Sequence, residues 1–229
     1  MNSTSTGASE PTVSAVTGAI VGVAAVVGGY RLLLRERCLN WGASAAEVKR
    51  GMPGDELLPA PDIVATRAIT IAAAPEQIWP WLVQIGPGRG GAYTYDWIEN
   101  LLGLDMHSAE TILPQFQDRT VGDSFAVGPR GPQMRVAVCE PARALVFASE
   151  DGNWVWAFGL YPDHTGTRLV SRNRIATPDA SGVSRPAYQL IMEPGSLIME
   201  RQMLRGIKRR VENYPQATAE TATRLLAPH

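Results

Sequence analysis

Four side chains capable of acid–base chemistry follow a glycine-rich stretch of this sequence: Tyr95, Asp96, Glu99 and His107. Asp96 and Glu99 stand three positions apart on a predicted helix and therefore share a face. Repulsion between neighbouring carboxylates raises the pKa of one of them, which suits a general acid or base in a dehydration or cyclisation. The pattern makes Asp96, Tyr95 and His107 candidate catalytic residues.

A structural interpretation of the same cluster is also open. Carboxylates at helical spacing are commonly solvated or paired with a nearby arginine, and Arg89 stands just ahead of them. A single histidine without an orienting partner is more often a hydrogen-bonded loop residue than a base. Catalysis is therefore undecided, and the sequence favours a binding role.

The sequence carries no recognisable metal or cofactor motif. Its three histidines lack the spacing of metal ligands, and its two cysteines, Cys38 and Cys139, form no CxxC pair. The glycine run at 86–91 is not followed by the Lys-Ser/Thr pair of a phosphate-binding loop. We predict neither a metal nor a cofactor.

Bulky apolar side chains recur where they could line a cavity. Trp154, Trp156 and Phe158 alternate along a strand pattern, and the methionines of the last helical segment have flexible thioether side chains that suit an adaptable wall. The candidate ligand-binding residues are Trp81, Tyr95, Trp97, Trp154, Trp156, Phe158, Met199, Met203 and Ile207. The alternative is that these side chains only fill a core.

Hydrophobic periodicity predicts the elements that position these residues. Alternation predicts strands at 63–71, 133–139, 144–149, 154–161 and 167–176, and helical patterns begin at Pro75 and cover 93–102 and 196–214. Pro80 is expected to kink the first helix or end it early, and Pro194 to precede the last helix. This order predicts an α+β fold in which a curved antiparallel sheet surrounds a long carboxy-terminal helix.

Arg168, Arg172 and Arg174 have the same parity on the last predicted strand and therefore share one face of the sheet. Unpaired charges are not tolerated against an apolar cavity wall. A solvated outer face is the favoured location. The alternative is an inner location where Arg172 or Arg174 meets Asp96 or a ligand carboxylate.

The chain is expected to contain one soluble domain at 63–214. Its 229 residues suit a single core, and a net charge of −1 gives no reason to expect nucleic acid as a partner. Residues 35–62 are interpreted as a linker that contains a capping box, Ser44 to Glu47, and 215–229 as a flexible tail.

The segment 13–34 is predicted to be a single transmembrane helix. It would rise about 33 Å, which matches the hydrocarbon thickness of a bilayer. Arg31, Arg35 and Arg37 follow the apolar run, so the positive-inside rule predicts an extracytoplasmic tail at 1–12 and a domain that faces the cytoplasm. Gly18 and Gly22 form a small-xxx-small pattern that could support a weak homodimer.

Several blocks of the sequence resemble the START-related, pollen-allergen-like (SRPBCC) superfamily, whose members are often labelled polyketide cyclase/dehydrase and lipid transport. These blocks are 70–84, where a strand passes through Ala-Pro into a helix, 89–109, Gly122–Asp123, 169–174 and 199–208. The resemblance is nearest to an actinobacterial branch with an amino-terminal hydrophobic segment.

This resemblance implies a helix-grip fold with a hollow between sheet and helix. The function that follows is a membrane-tethered domain that binds a hydrophobic small molecule or lipid. One alternative is a cyclase or dehydratase that acts on a polyketide-like or lipid substrate through Asp96, Tyr95 and His107. Another is a protein-interaction module whose cavity is vestigial. Fold alone does not decide among them.

Overall fold

The computed structural model describes residues 22, 25–101, 103–128, 131–178 and 184–214, and a six-stranded antiparallel sheet lies at its centre. The strands are β1 (Ile63–Ile71), β2 (Ser124–Ala126), β3 (Gln133–Glu140), β4 (Ala144–Ser149), β5 (Trp154–Asp163) and β6 (Gly166–Ile175). Their order is β1-β6-β5-β4-β3-β2, so the first and last strands are neighbours. The sequence predictions for β1 and for β3 to β6 are confirmed.

The helices flank this sheet. They are α1 (Arg35–Leu39), which continues helical turns that begin before it, α2 (Ala45–Lys49), α3 (Pro75–Val83), α4 (Asp96–Leu101) and α5 (Ser184–Asn213). With them, the predicted α+β class and the long carboxy-terminal helix are confirmed. Short 3-10 turns occur at Asp55–Leu57 and Pro114–Phe116.

Two predicted helix starts are wrong, those of α4 and α5. Pro80 lies inside α3 without ending it, because the carbonyl that loses its partner belongs to Glu76 in the exposed first turn. α4 begins at Asp96 and not at Tyr93, whose φ of +58° is left-handed. α5 starts at Ser184, well before Pro194, and its residue Glu193 pairs with Arg35 at 2.9 Å.

The inner face of the sheet carries the main core. The carboxy-terminal half of α5 packs onto it through Met203, Leu204, Ile207 and Val211. α3 closes this end of the sheet with Ile78, Trp81 and Leu82, all fully buried. Apolar burial of this kind supplies most of the stability of a domain of this size.

The arginines of β6 lie on the outer face, as favoured, but they are packed and not solvated. Arg172 is buried, and it donates to Asp55 Oδ2 at 2.7 Å and to backbone carbonyls of Glu47 and Arg50. Arg168 donates to both oxygens of Glu47. The segment expected to be a linker therefore folds over the outer face of the sheet.

The predicted capping box is confirmed and takes part in this contact. Glu47 N–H donates to Ser44 Oγ, and Ser44 N–H donates to Glu47 Oε2 at 2.7 Å. Burial raises the pKa of Glu47, but the hydrogen bonds from Arg168 and Ser44 outweigh it and lower the value to about 2. Because the folded pKa is depressed, this stabilisation is complete above the ordinary carboxyl pKa and is lost only as the pH falls towards 2.

A buried ion pair fixes the middle of α5 to the sheet. The Arg67 guanidinium on β1 donates to Glu200 Oε2, to the Cys38 carbonyl at 3.2 Å and to Ser196 Oγ at 3.0 Å. Glu200 Oε1 accepts hydrogen bonds from Ser171 and Asn173 of β6. Arg67 and Glu200 are 1% and 7% exposed, so both charges depend on these partners for the hydrogen bonds that water would otherwise provide.

The expected transmembrane segment is largely outside the described residues. Only 22 and 25–34 of it are described, and there the chain is helical. No helix within the described parts of the chain combines the length and the apolar character needed to cross a membrane. Gly22 is described and Gly18 is not, so the small-xxx-small contact stays a prediction.

Close packing of α5 leads to a stability prediction. A Cβ at Gly206 would stand 2.4 Å from the Tyr93 carbonyl oxygen, whereas a Cβ at Gly195 would meet nothing within 4 Å. Gly206→Ala should lower the free energy of unfolding by about 1–3 kcal/mol, because the clash with backbone exceeds the gain in helix propensity. Gly195→Ala should raise it by about 0.5–1 kcal/mol. Urea titration of the full chain checks both, and equal effects would contradict the close contact.

The Arg67–Glu200 pair yields a second prediction. Glu200→Leu leaves the buried guanidinium without its counter-charge and should cost about 3–5 kcal/mol of unfolding free energy. Adding Arg67→Met should restore most of that loss, because the unpaired charge is removed as well. The control is Arg143→Gln, which breaks an exposed pair with Glu140 and should cost under about 1 kcal/mol. A Glu200→Leu cost no larger than the control would mean that the buried pair does not fix α5.

Candidate functional site

A cavity of about 470 Å³ lies between the inner face of the sheet and the amino-terminal half of α5. This is within the usual range for small-molecule sites. Its apolar wall includes Ile63, Ala65, Phe125, Val127, Trp154 and Trp156. The cavity reaches the surface where exposed Asp151 and half-exposed Met192 line it, and we call this opening the mouth.

The sequence explains why this end of the fold is hollow. Beyond Met203, α5 presents branched side chains that fill the space above the sheet. Before Met203 it presents Ser196, Met199 and Glu200, and the facing positions are small residues such as Ala65 and Ala92. Small side chains opposite a helix held by polar contacts leave a volume that no residue fills.

The polar network around Glu200 forms one wall of the cavity and orients its tryptophans. The Trp154 indole N–H donates to Asn173 Oδ1 at 2.8 Å, and that of Trp156 donates to Ser171 Oγ at 3.1 Å. The two indoles stack with ring centroids 6.1 Å apart. Each polar group of this wall is therefore engaged with another group of the protein.

A second polar region, on the opposite side, is formed by Thr94 and Glu99. Glu99 is 6% exposed, and its Oε2 has no hydrogen-bond partner among the described residues. Thr94 Oγ1 is likewise buried without a well-aligned hydrogen bond within that part of the chain, although its hydroxyl lies close enough to interact with the Glu99 carboxyl. Burial raises the pKa of Glu99, with a smaller contribution from the negative charge of Asp96, while the neighbouring Thr94 hydroxyl opposes the shift.

The structure distributes the predicted ligand-binding residues over three locations. Trp154, Trp156, Met199 and Met203 line the cavity. Trp81, Phe158 and Ile207 lie in the core that closes it. Tyr95 and Trp97 are outside the cavity lining, and Trp97 is 69% exposed because its face of the short helix α4 points to solvent.

The three candidate acid–base residues also lie outside the cavity lining. Asp96 accepts hydrogen bonds from the Ser108 N–H at 2.8 Å and the Ser108 hydroxyl at 2.6 Å, so it holds the loop after α4. His107 is exposed and stands 3.4 Å from Asp105. Tyr95 begins α4 through its carbonyl, which accepts from the Ile98 N–H. The geometry does not bring Asp96, Tyr95 and His107 together at a reacting centre.

Sequence reasoning missed Arg67, Thr94, Asn173 and Glu200. Two signals could have found the ion pair. Arg67 interrupts the inward-facing positions of an alternating strand, and Glu200 falls on the i, i+3, i+7 stripe of α5 with Met203 and Ile207. A charge on an apolar stripe requires a buried partner. No comparable signal identifies Thr94, whose position depends on the turn before α4.

Other features of the sequence have structural roles. The glycine run forms a tight turn in which Gly86 and Gly91 exchange backbone hydrogen bonds at 3.0 and 3.2 Å. Cys38 and Cys139 are free thiols. Over the described ranges, no three His, Cys, Asp or Glu side chains come together as potential metal ligands.

Comparison with known proteins gives similarity of fold at low sequence identity. No family model matches the chain, and no curated protein matches it. A Polyketide_cyc-like protein, Cgl2372, from Corynebacterium glutamicum is 20% identical over 72% of this chain and 97% of its own, with a TM-score of 0.31. The Mesorhizobium loti protein MLL2253 is 20% identical over 67% and 99%, with a TM-score of 0.40.

A Bacillus halodurans protein, BH1534, is 15% identical over 66% of this chain and 99% of its own, with a TM-score of 0.41. Likenesses at this level say nothing about ligand or activity. The chain's own architecture has β1 beside β6 in an antiparallel sheet and a long carboxy-terminal helix on the inner face. That arrangement agrees with the antiparallel sheet and long carboxy-terminal helix that the sequence resemblance implied.

Proposed function

We propose that this protein binds a hydrophobic small molecule or lipid in the cavity between the sheet and α5. The observation that carries the proposal is the cavity itself, about 470 Å³ in volume, with a wall that is mainly apolar and has a few polar groups on two sides. Enclosed sites of this composition are where small apolar ligands bind. The stacked indoles of Trp154 and Trp156 offer a flat apolar surface held in a fixed orientation.

Two alternatives account less well for the geometry. A cyclase or dehydratase that uses Asp96, Tyr95 and His107 would need these side chains at the ligand, yet none of the three lines the cavity. An interaction module with a vestigial cavity would have α5 packed on the sheet along its whole length. Among the residues of α5 whose burial is described, those that belong to the main core begin at Met203.

The proposal includes a membrane tether formed by the segment 13–34. Leu32, Leu33 and Leu34 continue the apolar run and are all exposed, Leu32 at 85%. Exposed apolar side chains in a row are typical of a surface that contacts lipid or another protein. Arg31 donates to Gln189 and Tyr30 to Glu193, so this segment lies beside Met192 at the mouth of the cavity. A ligand dissolved in the bilayer would thus be close to its binding site.

A matched pair of variants on α5 tests ligand binding. Met199 lines the cavity, and its neighbour Ile198 is exposed and does not. Met199→Trp should take up part of the cavity and reduce the ligand-bound fraction about tenfold, since the larger indole competes with a ligand for the same volume. Ile198→Trp should leave that fraction unchanged. Native mass spectrometry of gently purified full-length protein measures it, and a bare mass for wild type and both variants would count against a binding function.

The tether is tested with charges placed in the predicted span. Ala19→Lys with Val23→Lys should move the full chain from the membrane to the soluble fraction, because each lysine near the centre of a bilayer costs about 3 kcal/mol. Ser3→Lys with Ser5→Lys, which precedes the span, should leave the chain in the membrane fraction. Fractionation of cells that express each variant measures the outcome. If the first pair has no effect on fractionation, residues 13–34 are not the anchor.

A further inference from the structure

Polar groups lie on two sides of the cavity, and those on one side are already hydrogen-bonded within the protein. Arg67, Asn173 and Glu200 bond to one another and to Ser171, Ser196 and the Cys38 carbonyl. A ligand would have to break existing hydrogen bonds to use them. Thr94 Oγ1 and Glu99 Oε2 are buried and make no well-aligned hydrogen bond in the described parts of the chain, so their interaction with each other leaves hydrogen-bonding capacity unused.

Buried polar atoms without hydrogen bonds are rare in folded proteins because they forgo the hydrogen bonds that water would provide. Glu99 is 6% exposed and lines the cavity together with Thr94, Leu104 and Met106. Its neighbour Asp96 has its own partner in Ser108. Arg89, Arg119 and Glu140 also have buried atoms without hydrogen bonds, but these residues do not line the cavity. Within the described cavity lining, the unmet hydrogen-bonding capacity belongs to Thr94 and Glu99.

The charges around the cavity restrict what could satisfy these two groups. Its lining includes the carboxyl groups of Glu99, Asp151, Glu193 and Glu200 and a single guanidinium, that of Arg67. Arg67 is already paired with Glu200, and Glu193 with Arg35, so the carboxyl groups of Glu99 and Asp151 remain. A ligand carboxylate or phosphate would thus meet net negative charge and no free cation in the described wall.

A ligand ammonium is also a poor match. An ammonium can donate to Glu99, but it has no lone pair and so cannot accept a hydrogen bond from the Thr94 hydroxyl. A hydroxyl group donates one hydrogen bond and accepts others. It can donate to a Glu99 oxygen while it accepts from the Thr94 hydroxyl, and it can satisfy both at once without any net charge.

We propose that Thr94 and Glu99 form a hydrogen-bonding subsite for the hydroxyl group of an apolar alcohol or phenol. This inference rests on the proposed binding function and specifies the ligand class for the same cavity. The apolar body of the ligand lies against Trp154, Trp156 and Met199, and its hydroxyl lies at the α4 side. Glu99 and Thr94 act as binding residues, and no covalent step is involved.

The test uses ligands of equal size with different polar groups. 1-Octanol, its isomer methyl heptyl ether, octanoate and octylamine are titrated by calorimetry at pH 7 into the full chain in lipid nanodiscs. Empty nanodiscs and the Met199→Trp variant provide the blanks for partition into lipid. Because the ether accepts a hydrogen bond and cannot donate one, it should bind about tenfold more weakly than 1-octanol, as should octanoate.

Variants of Thr94 and Glu99 test whether these two residues cause the difference in affinity between 1-octanol and the ether. Thr94→Val and Glu99→Leu remove the hydrogen-bonding atoms without introducing a new buried polar group. Each should weaken 1-octanol about fivefold and change ether affinity by no more than about twofold. The exposed carboxylate variant Glu110→Gln should change neither affinity. A loss that is equal for alcohol and ether would mean that the variants alter packing alone, and would overturn the subsite.

The outcomes separate the two proposals. Equal affinities for 1-octanol and the ether, both reduced by Met199→Trp, would overturn the subsite and leave the binding function intact. Tightest binding of octanoate or octylamine would overturn the alcohol specificity in favour of a charged ligand. If none of the four compounds binds above the blanks, the proposed function itself fails.

Discussion

The buried ion pair between Arg67 and Glu200 is the interaction on which the rest of this structure depends. It joins the edge strand β1 to the middle of α5, and Ser171 and Asn173 of β6 complete the shell of Glu200. Long polar side chains hold a helix at a fixed distance from a sheet, whereas apolar ones allow it to approach until they are in contact. The pair therefore divides α5 into a half that is packed and a half that is held above a hollow. Because Ser171 and Asn173 also accept the indole N–H groups, the same network sets the orientation of the tryptophan wall.

On the outer face of the sheet, by contrast, the charged side chains hold a covering segment in direct contact. Three arginines of β6 are covered by the segment between α1 and β1, where Asp55, Glu47 and backbone carbonyls of that segment engage them. The sheet thus has ionic contacts on both faces, but those on the outer face fasten a covering segment and leave no volume. A single sheet can in this way support a closed layer on one side and a cavity on the other. The two faces differ because the outer arginines contact a loop whose carbonyls lie against them, whereas Arg67 on the inner face contacts a side chain of the long helix.

Sequence periodicity predicted the sheet well because alternation of apolar residues reports directly on which face is buried. It failed at Pro194, where local rules expect no helix to precede the proline. α5 extends back to Ser184, and Glu193 within that extension pairs with Arg35, a contact between residues far apart in sequence that no local pattern reveals. The acidic pair on α4 shows the same limit. Spacing identified Asp96 and Glu99 as neighbours, but only the fold shows that Asp96 is used by Ser108 and that Glu99 faces the cavity.

These observations bear on where any specificity of this molecule must arise. Fold does not determine chemistry. In this chain the charged groups Arg67 and Glu200 of the cavity wall are already paired with each other and hold the helix in place. Arg67 and Glu200 are needed to hold α5, so a change there alters the shape of the site before it alters recognition. Thr94 and Glu99 carry no such structural duty in the described contacts. Selection for a different ligand could act on them and on the tryptophans while the sheet and helix stay as they are, so related chains with this fold can differ in ligand without differing in structure.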